Sequence, residues 1–93
     1  MTQQYIVGQF SLLLAELQPA PGEWLAIVGD LRREVEVSPL PMLPQLAHEA
    51  MNLTDLICWA ALEQGDAGGF CRYATTAVAL REFTANAGLL PSP

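Results

Sequence analysis

Apolar residues recur at spacings of three and four in four separate stretches of the chain, and no stretch alternates with period two long enough to make a strand. That rhythm belongs to helices that bury one side. The longest stretch, PQLAHEAMNLTDLICWAALEQG, runs from Pro44 to Gly65. Pro44 suits a first turn, where its missing N–H would have no partner, and Gly65 suits the left-handed residue just past a last turn. Leu46, Ala50, Leu53, Ile57 and Ala61 share one side of this helix, predicted over 44–64. The opposite side carries a second stripe, His48, Asn52, Asp55 and Trp59, polar except for the indole.

Two further helices are predicted ahead of it. Over 3–17, Ile6, Phe10, Leu13, Leu14 and Leu17 lie on one face, and Tyr5 and Leu12 widen that face until it asks for cover from more than one direction. Gly8 within it costs up to ~1 kcal/mol relative to alanine, a cost that a close helix crossing would explain. QPAPG at 18–22 breaks the pattern. The helix predicted over 21–36 opens with Pro21 and with Glu23, whose carboxylate meets the positive end of the helix dipole. Its apolar stripe is Trp24, Ile27, Val28, Leu31 and Val35. The DLRREVE run reads as the solvated face of this helix, and its sharper reading is a docking surface in which Arg32 and Arg33 meet a partner's acids.

SPLPMLP at 38–44 holds three prolines, too many for a helix interior. It is expected to be a stiff extended link with Leu40, Met42 and Leu43 to bury. Beyond Gly65, Asp66 is placed to cap a fourth helix over 67–87. Tyr73, Thr76, Leu80, Phe83 and Ala87 form its seam, with Phe70, Ala77 and Thr84 on the flanks. Gly88 followed by Leu89 fits a left-handed C-terminal cap with its hydrophobic contact. Four helices on short connections make an all-α, antiparallel four-helix bundle, read as a single domain over 1–93.

Composition adds an expectation about surface. Hydrophobic residues are 52 % of the chain and charged residues 15 %, although 13 alanines enlarge the first figure without making sticky patches. A small domain this apolar leaves hydrophobic surface showing, which points to a homodimer, a larger homo-oligomer or an obligate protein partner. Ten acids face four arginines and no lysine, for a net charge of −6. Such a surface repels nucleic acid and anionic lipid and would suit a basic protein. No apolar run reaches the ~18 residues of a membrane span, and MTQQYIVGQ lacks the features of a secretion signal, so a cytoplasmic protein is expected.

Candidate chemistry is sparse. His48 is the one histidine, in neither an HxH nor an HExxH arrangement, so no metal and no cofactor are expected. Cys58 lies ten residues further on, about 80° around the helix and ~15 Å along it, out of reach of His48. Cys58 and Cys71 flank the turn at 65–66 within possible reach of each other, yet without a CxxC spacing they read as reduced core residues. GDAGG at 65–69 lacks both the preceding strand and the GK[ST] of a phosphate loop. An enzyme is therefore not expected.

Two functional readings remain. The first is a small non-catalytic interaction or regulatory module that self-associates or binds an unidentified protein. Its contact would be Trp59 ringed by Asp55, Asn52 and His48, an aromatic anchor among hydrogen-bonding groups. Edge-of-core packing of Trp59 against helix one or the C-terminal tail competes with it. The alternative is a regulatory bundle holding a small apolar ligand in its core, in a pocket lined by Trp24, Phe70, Tyr73 and Cys58, with Thr76 as a further polar point.

Overall fold

The computed structural model describes residues 3–17 and 22–89, and among these it contains four α-helices and no strand. They are α1 (Gln3–Ala15), α2 (Glu23–Val37), α3 (Leu43–Glu63) and α4 (Ala67–Asn86), with a single 3₁₀ turn at Leu40–Met42. Helix α1 packs on α2, α2 on α3, α3 on α4 and α4 back on α1, with α3–α4 the most extensive contact. This ring of neighbours, joined by short connections, is the antiparallel four-helix bundle that the apolar periodicity demands. No helix among the described residues is long and apolar enough to cross a membrane.

One contiguous core fills the bundle. Ile6, Phe10, Leu14 and Leu17 enter it from α1 and the turn after it, Val28, Leu31 and Val35 from α2, Leu46, Ala50, Leu53, Ile57 and Ala61 from α3, and Tyr73 and Leu80 from α4. Phe10 meets Phe83 edge-to-face, with ring centroids 5.8 Å apart, which ties α1 to α4. Buried hydroxyls would be costly if left without partners. Thr54 donates to the Ala50 carbonyl at 2.7 Å, Thr76 to Arg72 at 3.2 Å and Thr84 to Arg81 at 2.9 Å, so each is satisfied one turn back on its own helix.

The α3–α4 hairpin is fixed by backbone chemistry at both ends. Gly65 adopts φ 72°, its N–H reaches the Leu62 carbonyl, and the Asp66 N–H reaches Ala61 at 2.9 Å. These two bonds form a Schellman cap on α3. Asp66 then starts the next helix, its carboxylate accepting the Gly69 N–H at 2.9 Å. The end of α4 repeats the first device: Gly88 sits at φ 71°, the Leu89 N–H meets the Thr84 carbonyl at 2.8 Å, and the Leu89 side chain is buried.

Several expectations are corrected. The widened face of α1 is not covered twice, because Tyr5 and Leu12 remain 54 % and 61 % exposed. Gly8 marks no close crossing: a methyl added there would meet nothing within 4 Å. Ile27 leaves the α2 stripe and is exposed, while Trp24 is half-buried at the edge of the core. SPLPMLP is not extended throughout. Pro39 is extended at φ −68° and ψ 157°, but the chain then turns through the 3₁₀ segment, with the Met42 N–H bonded to the Pro39 carbonyl at 2.9 Å. Pro41 and Pro44 fall in first turns, where no N–H is required, so of the three apolar residues only Leu43 is buried.

The DLRREVE arginines are engaged within the chain. Arg32 donates from Nε and Nη2 to the Ser11 hydroxyl at 3.2 Å, and Ser11 donates to Glu36 at 3.1 Å, which links α1 to α2. Arg33 pairs with Asp30 one turn earlier on the same helix. Pro21, expected to open α2, lies outside the described residues.

Candidate interaction surface

Helix α3 presents Leu46, Ala50, Leu53, Ile57 and Ala61 inward because they return to one side every three or four residues. At ~100° per residue Trp59 stands about 160° from Ile57, on the opposite side of the helix. The structure leaves it 63 % exposed. Among the described residues Trp59 therefore takes no edge-of-core packing on α1, while the C-terminal tail at 90–93 lies outside the described residues.

Trp59 borders a groove of about 410 Å³ between α3 and α4. Asp55, Cys58, Trp59 and Leu62 line it from α3, and Phe70, Ala74, Ala77, Val78 and Arg81 from α4. Leu62 and Val78 are half or more exposed, so the groove continues into an apolar rim on both helices. Two charged side chains cross it. Arg81 Nη2 lies 3.4 Å from Asp55 Oδ2, with both side chains open to solvent.

The four residues of the polar stripe separate into two pairs. Asp55 and Trp59 line the groove; His48 and Asn52 are exposed earlier on α3 and do not. Asn52 Nδ2 lies 3.3 Å from His48 Nε2, an i, i+4 contact that is a hydrogen bond in the tautomer with Nε2 unprotonated. His48 is thus engaged with its helical neighbour Asn52. Among the described residues no group of three or more His, Cys, Asp or Glu is arranged to hold a metal ion.

The four residues expected to line a core pocket do not converge. Phe70 and Cys58 line the α3–α4 groove, whereas Tyr73 is packed in the core at 2 % exposure. Trp24 borders a separate shallow depression with Gly22, Glu23 and Gln64. Thr76, the further polar point, is buried with its hydroxyl spent on Arg72. The helical spacing that gathered these aromatic residues was serving the core.

Burial, and secondarily the negative charge of Asp55, push the Cys58 thiol up from its ordinary value. An activated nucleophile needs a shift in the other direction. Cys71 is exposed on α4, and both cysteines are free thiols.

Four groove residues escaped the sequence reading: Leu62, Ala74, Val78 and Arg81. The last three repeat at spacings of four and three beside the Tyr73–Thr76–Leu80 seam, so a second stripe was present in α4. It was masked because two of its members are small or singly apolar. No family model matches this chain, and no curated protein or solved structure matches it significantly.

Proposed function

We propose that this protein is a small non-catalytic interaction module that docks through the α3–α4 groove, with Trp59 as the anchor and either a copy of itself or a second protein as occupant. The carrying observation is the exposure of Trp59, 63 %, beside an apolar groove with a charged pair across it. Tryptophan and arginine are the side chains on which contact energy concentrates, and both border this groove. An indole of ~250 Å² exposed to this extent makes about 4 kcal/mol available on burial at ~25 cal/mol/Å². That is a large reward for covering one residue. Leaving it in water serves no purpose in folding, since α3 already buries its other side.

The net charge of −6 favours a protein occupant over nucleic acid or an anionic bilayer. The module is taken to work in the cytoplasm, where an exposed thiol such as Cys71 stays reduced.

The test is site-specific photo-cross-linking in the producing cell, with a photoreactive amino acid at position 59 and, as control, at the exposed Leu25 of α2. A discrete protein adduct at position 59 that is missing at position 25 is the expected result. Equal labelling, or no adduct at position 59, would contradict the reading.

A further inference from the structure

Resting on that docking reading, we infer that the occupant is a second copy of this chain, related by a two-fold axis running along the groove, so that α3 of each copy lies on α4 of the other. A two-fold interface must be self-complementary: the same patch supplies the projecting group and the recess that receives it. This groove has both. Trp59 projects from α3, and Ala74 and Ala77 leave room on α4 between Phe70 and Val78.

Charge selects the axis. Of the charged side chains lining the groove, α3 supplies the acid, Asp55, and α4 supplies the base, Arg81. An axis parallel to the helices sets each α3 on the other copy's α4, acid facing base. An axis across the helices would stack α3 on α3 and α4 on α4, turning Asp55 toward Asp55 and Arg81 toward Arg81, which costs energy. Rotation about the parallel axis also preserves each residue's height along the groove. Asp55 and Arg81, already level at 3.4 Å within one chain, therefore meet Arg81 and Asp55 of the second copy.

Area and exclusion agree. Trp59, Leu62 and Val78 expose on the order of 300 Å² of side chain, a sizeable part of the ~800 Å² that each partner contributes to a standard interface. The depression between α2 and α3 is a poor site for a second copy, because Asp30, Glu34 and Glu49 rim it and two such rims repel.

The arrangement is tested with two charge reversals, Asp55→Arg and Arg81→Asp, examined separately and mixed in equal amounts by sedimentation velocity and native mass spectrometry. Either variant alone faces like charge with like charge twice, and its self-association should weaken by about tenfold or more. In the mixed dimer each reversed residue meets its opposite: Arg at position 55 faces Asp at position 81, and the native Asp55 faces the native Arg81. A heterodimer close to wild-type affinity is expected, even though the like-charge pair within each chain persists. Thermal unfolding by circular dichroism checks that both variants fold.

A mixture no tighter than either variant alone would overturn this arrangement. A wild-type chain that stays monomeric at every concentration would overturn the second copy as occupant. If position 59 still cross-links to another protein in that case, the docking reading survives; if it cross-links to nothing, both are lost.

Discussion

The Asp55 carboxylate and the Arg81 guanidinium face each other across the α3–α4 groove at 3.4 Å, with 48 % and 62 % of their side chains exposed. An ion pair so open to water contributes about 0–1 kcal/mol to folding. Asp55→Asn is therefore expected to change the unfolding free energy of the dissociated chain by less than about 1 kcal/mol in urea titrations at low protein concentration, and to lose even that difference in high salt. A cost of several kcal/mol would mean that the pair holds the hairpin together instead of marking its surface.

Gly8 and Gly88 should respond in opposite directions to the same substitution. Gly8 lies on the exposed side of α1 with space for a methyl, so Gly8→Ala should stabilise the fold by about 0.5–1 kcal/mol. Gly88 holds φ 71°, and Gly88→Ala should destabilise it by about 1 kcal/mol. Urea midpoints of the two variants against wild type measure both.

Asp66 closes α3 and opens α4 in a single residue. Asp66→Ala removes the acceptor for the Gly69 N–H and should cost about 1 kcal/mol, within the range for lost N-caps. Gly69→Ala should cost a similar amount for a different reason, because the new methyl would run into the Asp66 carboxylate. The two losses fall on one cap, so in the double variant they should be less than additive. Chemical denaturation of the three variants checks this.

Cys58 should make stability depend on pH on the alkaline side. Its folded thiol titrates above the value of ~8.5 for a free thiol, so the unfolded chain gives up this proton first as pH rises. Stability from this group is complete below the unfolded value and is lost as pH climbs through the folded one. Cys58→Ala should flatten the decline in unfolding free energy above about pH 8.5. Alkylation at neutral pH should modify the exposed Cys71 well before Cys58.

Fold class was legible because every helix announces itself by apolar spacing, and α3 and α4 by their ends as well. Gly65, Asp66 and Gly88 each take the backbone role that their residue types suggest. What could not be read was which apolar residues stay outside the core. Tyr5, Leu12 and Ile27 satisfy the same periodicity as Ile6, Phe10 and Val28, and only the positions of neighbouring helices decide among them. The same indifference of spacing to geometry made Trp24 and Tyr73 look like partners of Phe70. The stripe ending in Trp59 was legible as a pattern. Its division into a groove pair and an upstream His48–Asn52 pair was not, because the other wall comes from a different helix, α4.

The most direct measurement is sedimentation equilibrium of the wild-type chain beside Trp59→Glu, with circular dichroism melts of both. Wild type should sediment at twice its chain mass of 10.1 kDa, and the variant as a monomer with an unchanged helical spectrum and a cooperative melt. A wild-type monomer, or a Trp59→Glu protein that associates as tightly as wild type, would contradict self-association through this groove.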